Sequence, residues 1–577
     1  MTRTISILAV LLAAVLSPAV AQETFSIDDI LSAPFPSGLV AAPDGQRVAW
    51  VRNHRGVRNI WVADAPRWEG RQVTSYEGDV GRTLGGLTFT PDGGTLIYGV
   101  GGSPNRFGEF PNPASVPDGP ETSLHALDLA SGATLDLPAG GSRSLSPDGS
   151  RFAFTRGAMV YVAPVEDDAE EEELFQVRRG AGSLTWSPRG DRIAFVSRRG
   201  DHAFVGVYDL DAHSITWMGP SVDRDADPTW SPDGELLAFR RVPNRRDALP
   251  FFAQPESIPW SIVVADPATG EARTVWRADE GPGSAFRFVS GPNLAWTGGR
   301  LVFPWEKRGW THLWSIPAPD ALPTRSLAGE DGATLLTPGE FEVQFVSVSA
   351  DGTEMIFDSN QDDIDRKHLW RVPVAGGTPQ RVTGGDGLEW SPVEVADGAI
   401  AFVASGATTP ARAEVLVDGE RRALVDDLPA EFPSDALVEP RQVTFQADDG
   451  LRIHGQLFEP PEACGDGPHP GLLFFHGGSR RQMLLGFHHS SYYHGTYSFN
   501  QYMAATRCWV VLAVNYRSGI GYGLDFREAE NYGAGGASEL ADVTGAARWL
   551  AAREDVDDRR VALWGGSYGG YLTALGL

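Results

Sequence analysis

One phrase recurs along the first three-quarters of this chain: an apolar or aromatic residue, a Ser-Pro-Asp-Gly turn or a relative of it, then a strand-like run. It occurs as Ala42-Pro43-Asp44-Gly45 before Val48-Ala49-Trp50-Val51, and as Thr90-Pro91-Asp92-Gly93 before Leu96-Ile97-Tyr98. Ser146-Pro147-Asp148-Gly149, Ser187-Pro188-Arg189-Gly190, Ser231-Pro232-Asp233-Gly234 and Ser349-Ala350-Asp351-Gly352 follow. Weaker copies stand at Trp296-Thr297-Gly298-Gly299 and Val395-Ala396-Asp397-Gly398. Proline presets φ at the second turn position, Asp tolerates the third, and Gly takes the left-handed conformation at the exit. A repeat of about 50 residues is the length of a four-stranded propeller blade. The spacing predicts a β-propeller of seven or eight blades, eight favoured, over residues 22–437.

From about Val438 the pattern changes. Gln442 to Gln446 and Leu451 to Phe458 read as a hairpin around Asp448-Asp449-Gly450. Gly471 to Phe475, Trp509 to Val514 and Arg560 to Trp564 are almost continuously apolar, as in strands of a parallel sheet covered on both faces. Between the last two, Leu540, Val543, Ala547, Leu550 and Ala551 fall at helical spacing. Strand, helix, strand is the unit of an α/β domain.

The third of these strands runs into Gly565-Gly566-Ser567-Tyr568-Gly569-Gly570-Tyr571. This is the G-x-S-x-G nucleophile elbow in its required setting, after a strand and before a helix. Its glycines remove side chains at a sharp turn, so that Ser567 projects its hydroxyl above the sheet. A phosphate-binding loop is the competing reading, but the Lys-Ser/Thr that such a loop needs is missing. Phe475-His476-Gly477-Gly478 closes the earlier strand, where α/β-hydrolases place half of the oxyanion hole. Backbone N–H groups of Gly477 or Gly478 and of Tyr568 are therefore the expected oxyanion donors. His476 is expected to be structural rather than a catalytic base.

These two motifs, with Asn515-Tyr516-Arg517-Ser518-Gly519-Ile520-Gly521-Tyr522-Gly523 and the propeller ahead of them, resemble the prolyl oligopeptidase family. The resemblance covers nearly the whole chain after residue 21. It implies a Ser-Asp-His serine peptidase whose propeller restricts access to short or unfolded peptides, with no metal or other cofactor. Glu306 to Trp314 is similar to the dipeptidyl peptidase IV branch, and the His-Gly-Gly loop to the acylaminoacyl peptidases. The paired glutamates by which the dipeptidyl peptidase branch holds a free N-terminus are not visible, since Ser221 to Pro228 offers Asp223, Asp225 and Asp227 instead. That branch also has a Tyr where this chain has His476.

In α/β-hydrolases the acid and base follow the nucleophile. Tyr568 to Leu577 contains neither Asp nor His. The reading is therefore an incomplete α/β-hydrolase domain over 438–577, the front portion of a longer protein, and a chain inactive as it stands.

Composition narrows the partners. A formal charge of −27 argues against nucleic acid. Arg3, the apolar run Ile5 to Leu16 and the small residues Ala19-Val20-Ala21 read as a signal peptide over 1–21, too short to span a bilayer, hence a periplasmic or secreted protein without a membrane span. Cys464 and Cys508 are expected as two unpaired thiols, with a single bridge as the alternative. The run Asp167 to Glu173 reads as a solvated loop rather than an amine anchor. His488, His489 and His494 lack the spacing of a metal site. Oligopeptides are the expected partners, and a homo-oligomer is left open. Three functions compete: a peptidase, an esterase using the same serine, and a propeller binding module with a vestigial hydrolase half. The intact elbow favours catalysis.

Overall fold

The computed structural model of the protein describes residues 25–79, 81–102, 117, 122–166, 170–244, 251–256 and 259–577. The expected signal peptide and Asp167 to Ala169 lie outside them. Eight four-stranded antiparallel units succeed one another, spanning 35–72, 84–137, 143–176, 181–217, 224–277, 295–335, 343–381 and 388–423. They are the eight blades of a propeller.

Each recurring phrase is the turn from the first to the second strand of a blade. Gly149, Gly234 and Gly352 have φ between +72° and +74°, and their N–H groups close the turns onto Ser146, Ser231 and Ser349. Within the turns, the serine hydroxyls donate to Asp148, Asp233 and Asp351 at 2.5–2.7 Å. Where Arg189 replaces the aspartate, Ser187 donates to Asp191 instead, at 2.6 Å.

The ring is held by side chains rather than by a shared strand. Each neighbouring pair of blades encloses its own apolar core, such as Ala42, Val62, Phe89 and Tyr98 between the first and second. The eighth such core joins last to first, with Leu388, Trp390 and Val403 packed on Leu39, Val48 and Trp50.

The second domain contains five strands, β1 (Arg441–Gln446), β2 (Arg452–Phe458), β3 (His469–Phe475), β4 (Val510–Asn515) and β5 (Val556–Gly565). They lie in the order β1-β2-β4-β3-β5, with β4, β3 and β5 mutually parallel. Helices α1 (Ser491–Ala505), α2 (Leu540–Ala551) and α3 (Tyr568–Gly576) flank the sheet. This is the front half of an α/β-hydrolase sheet. Among the described residues no helix is long and apolar enough to cross a membrane.

Three features were not legible in the sequence. Cys464 and Cys508 form a disulfide, with Cα atoms 5.6 Å apart, and are not the two thiols expected. Each cysteine enters one of the adjacent strands β3 and β4 from the same end, which brings them within bonding reach. The segment before the first blade belongs to the hydrolase: Phe25 and Ile30 pack among Phe458, Leu472, Phe474 and Tyr497. The described part of the acidic run is exposed, and Glu172–Gln176 is the outermost strand of the third blade.

The hydrolase sits on the end of the ring opposite the recurring turns. Contacts come from the loops between second and third strands, 251–256 of blade five, Glu306 to Gly309 of blade six, Asn360 to Asp365 of blade seven and Ser405 to Ala407 of blade eight, and from Arg287 and Glu342 between blades. Phe25→Ala should therefore destabilise the hydrolase half, by about 3 kcal/mol as for buried aromatic truncations. Chemical denaturation of the purified variant measures this. An unchanged midpoint would mean that the segment contributes nothing to that core.

Candidate active site

β5 delivers Ser567 and α3 carries it. Ser567 is exposed, with φ 55° and ψ −119°, a conformation that non-glycine residues adopt only when their surroundings enforce it. The enforcement is close backbone approach. A Cβ on Gly569 would lie 2.0 Å from the carbonyl oxygen of Phe475, and one on Gly566 would lie 2.3 Å from the hydroxyl of Tyr492. The elbow thus rests directly on the end of β3, where backbone approach admits only glycine at 569, and against the Tyr492 side chain of α1.

The expected oxyanion donors divide. No acceptor among the described residues engages the N–H of Tyr568 or that of Gly478, which has φ +71°. The N–H of Gly477, by contrast, donates to the Tyr493 hydroxyl at 3.0 Å, and that hydroxyl donates back to the Gly477 carbonyl at 2.9 Å. Gly477 is therefore held as a neighbour of the elbow, where an added Cβ would lie 2.7 Å from the carbonyl oxygen of Gly566 and 3.3 Å from Ser567 Cβ. Tyr492 and Tyr493 were missed in the sequence. The signal was present in Ser490-Ser491-Tyr492-Tyr493, but only its flanking histidines drew a reading.

The histidines are structural groups. His476 is buried, stacks on Tyr516 at 4.3 Å, and is pushed down to about 3 by burial. His488 accepts from the N–H of Ser490 at 2.9 Å and is also pushed down to about 3, again mainly by burial. His494, likewise buried, falls to about 4. None of these, nor His489, hydrogen-bonds to Ser567.

The Asn515 to Gly523 segment ties the site together. Asn515 holds both backbone groups of Met483, at 2.7 and 2.9 Å. The Tyr516 hydroxyl donates to the carbonyl of His476 at 2.7 Å, and Arg517 forks between Asp449 and Asp542. Glu539, fully buried, accepts from Tyr568 at 2.5 Å and from Ser518 at 3.1 Å. Burial and this carboxylate together raise the Tyr568 phenol far above its ordinary range.

The propeller reaches the same place. The Phe251 ring stacks on Tyr568 with centroids 5.7 Å apart, and its carbonyl accepts from the N–H of Ala534 at 2.9 Å. Arg287 bonds Glu306 at 2.8 Å and Glu528 at 3.1 Å, and Arg480 reaches Glu528 at 2.8 Å. Beside them a cavity of about 430 Å³ lies between the domains, bordered by Phe288, Glu342, Lys367, Arg480 and Gln482. Glu306, in the turn between the second and third strands of blade six, thus also makes a contact between the domains.

Comparison with known proteins points to one family. Residues 495–577 match the profile of the prolyl oligopeptidase family, and residues 260–408 that of the dipeptidyl peptidase IV N-terminal region. Dipeptidyl aminopeptidase BIII of Pseudoxanthomonas mexicana is 24% identical over 574 residues, covering 96% of this chain and 70% of that protein. Both profiles and this relative place the chain's similarity with the serine peptidases of the prolyl oligopeptidase family. Human dipeptidyl peptidase 8 is 30% identical over 139 residues, 24% of this chain and 15% of its own length. Among solved structures, Porphyromonas gingivalis dipeptidyl peptidase 4 superposes with a TM-score of 0.69 at 15% identity, covering 96% of this chain and 83% of that one. A Mycobacterium tuberculosis puromycin-hydrolyzing peptidase gives 0.63 at 18% identity, covering 96% and 77%. Propeller and hydrolase share one chain, with the nucleophile elbow near their junction.

Two outcomes follow from the site. Tyr493→Phe removes the hydroxyl that satisfies both backbone groups of Gly477, and should lower stability by about 1–3 kcal/mol in denaturant titrations. Equal midpoints would show that the clamp contributes nothing. The buried histidines also set an acid limit. Their folded pKa values lie below the unfolded value of 6.5, so their stability is present above pH 6.5 and lost as pH falls toward 4 and 3. Melting temperature should fall steadily from pH 7 to pH 4.5, and His488→Gln should flatten that slope. A flat profile would contradict the burial of neutral imidazoles.

Proposed function

We propose that the protein hydrolyses short peptides through an acyl-enzyme on Ser567, with the propeller limiting what reaches it. The observation that carries the reading is the elbow: an exposed Ser567 at positive φ, beside the unengaged N–H groups of Tyr568 and Gly478. Ser567 Oγ attacks the peptide carbonyl carbon and loses its proton to a base, and the carbonyl oxygen becomes an anion held by those two donors. The amine leaves with a proton, and water then hydrolyses the ester. Tyr568 to Leu577 supplies no imidazole for the proton, and His476, pushed down to about 3 by burial and not bonded to Ser567, is a weak proton acceptor. Residues 25–577 alone should therefore turn over peptides roughly 10⁴-fold or more below a complete triad enzyme.

Access through the propeller is supported by the stacking of Phe251 on Tyr568 and by the cavity at Glu342, both between the domains. Export is supported by the basic and apolar start of the chain and by the Cys464–Cys508 bridge, which suits an oxidising compartment.

A second reading, release of dipeptides from a free N-terminus, is favoured by the name of the Pseudoxanthomonas relative and by the match to the dipeptidyl peptidase IV N-terminal region. It needs a carboxylate free to take an ammonium group. Asp225 and Asp227 are occupied by Arg241 and Arg240, each at 2.7 Å. Glu306 and Glu528 are occupied by Arg287 and its neighbours. Glu342 borders the cavity, and its Oε1 has no hydrogen-bond partner among the described residues. It is the group we assign to that role if dipeptides are released.

Fluorophosphonate treatment of the natively expressed protein should label Ser567, and Ser567→Ala should abolish both labelling and peptide hydrolysis. Label on another residue, read by mass spectrometry, would overturn the nucleophile. N-terminal acetylation of a test peptide separates the two readings. Little change in kcat/KM supports the oligopeptidase. A loss of 100-fold or more, reproduced by Glu342→Gln on the free peptide, supports dipeptide release.

A further inference from the structure

We propose that Arg143 anchors a carboxylate of the peptide substrate in a groove between the second and third blades. The proposal rests on the peptidase reading above and extends it to a part of the substrate remote from Ser567.

The groove measures about 640 Å³ and is bordered by Gly85, Gly86, Gly99, Thr122, Arg143 and Arg156. Arg156 is neutralised there by Glu171, through bonds of 2.6 and 2.9 Å. Arg143 has no ion pair, hydrogen bond or aromatic face among the described residues. Desolvation lowers its pKa, and no carboxylate acts to raise it. A shortage of acids does not explain this, because the chain carries 75 acidic residues against 48 basic ones. The space for the guanidinium is made by glycine. A Cβ on Gly86 would lie 2.6 Å from Nη2 of Arg143, and one on Gly99 would lie 3.1 Å from Nη1. The second blade thus leaves side chains off its backbone where the third blade projects a cation.

Strand register places the groove at the end of the ring that carries the hydrolase. In blade seven, Val343 opens the first strand opposite Ser359, and the adjoining Glu342 and Asn360 bond Gly521 of the hydrolase at 3.0 and 2.8 Å. Blade two has the same register at Leu84 and Val100, and Arg143 opens the first strand of blade three opposite Phe154. Among the described residues no hydrogen bond or ion pair joins blades two or three to the hydrolase. The described parts of blades two and three thus present the groove at the hydrolase end of the ring without a bond to that domain. A planar guanidinium with free donors pairs with a carboxylate in a bidentate fork. A peptide offers that group at its C-terminus or on an Asp or Glu side chain.

The test uses the 577-residue chain and binding rather than turnover. The probe is one dye-labelled, alanine-rich decapeptide in three forms: C-terminal acid, C-terminal amide, and amide with a single internal Glu. Fluorescence anisotropy should show an anionic form binding about 10-fold more tightly than the neutral amide. Arg143→Gln should abolish the difference, and Arg143→Lys should retain part of it. Gly99→Ala, which keeps the charge but crowds the guanidinium, should weaken it as well, and serves if Arg143→Gln melts early. Preference for the acid assigns the C-terminus, and preference for the Glu form assigns a side chain. Equal binding of all three forms, or a preference that survives Arg143→Gln, overturns the anchor while leaving the peptidase reading in place. No binding of any form counts against both.

Discussion

A cluster of buried charges at the domain junction fixes where everything else can lie. Arg527, almost without exposure, bonds Glu306 of the propeller and lies against Glu528. Arg287 touches both glutamates, and Arg480 reaches Glu528 from the oxyanion loop. Burial by itself would raise the Glu528 pKa, but Arg480, Arg287 and Arg527 hold it below its ordinary value. Charges taken out of water are tolerated only while every partner is in place. A small slide of one domain on the other would strand several at once, so the junction has one favoured arrangement. Arg480 also donates to Tyr532, whose hydroxyl donates to the carbonyl of Phe252, next to the ring stacked on Tyr568. Junction, oxyanion loop and elbow are one connected body.

Local chemistry was readable in the sequence because each signal is short and needs no distant partner. A turn of Ser-Pro-Asp-Gly is satisfied by its own backbone and its own serine and aspartate, as Ser146 and Asp148 show. The elbow was readable for the same reason, since the glycines around Ser567 answer a constraint imposed a few residues away. Eight turns gave eight blades even where Arg189 or Thr297 broke the phrase.

What was not readable depends on pairs far apart in the chain. The disulfide needed the order of β3 and β4, the placement of Phe25 needed the hydrolase core, and the clamp on Gly477 needed α1 folded against β3. The Glu306 segment illustrates the ambiguity well. It was noticed for its family likeness, yet its glutamate acts through Arg527, 221 residues later. Composition offers no signal for such a pair, because both residue types are common and their meeting is decided only by the ring's closure and its seating under the hydrolase.

The same division separates the nucleophile's geometry from its activation. The approaches that hold Ser567 at positive φ involve Phe475, Tyr492, Gly566 and Gly569, all provided by β3, α1 and the elbow itself. The unengaged N–H groups of Tyr568 and Gly478 are fixed by those same elements. None of this requires a base to be present. Strain at the serine and the position of the oxyanion donors are thus properties of the parallel strands β3 and β5. Proton transfer is a separate requirement, to be met by a side chain that approaches Ser567 from its exposed side. Oxyanion stabilisation and substrate binding persist when triad members are removed, leaving about 10³–10⁴-fold catalysis over water in serine proteases. On the proposed mechanism, the donors to the developing anion belong to the backbone of this chain, and the base that activates Ser567 is a separate element of the site.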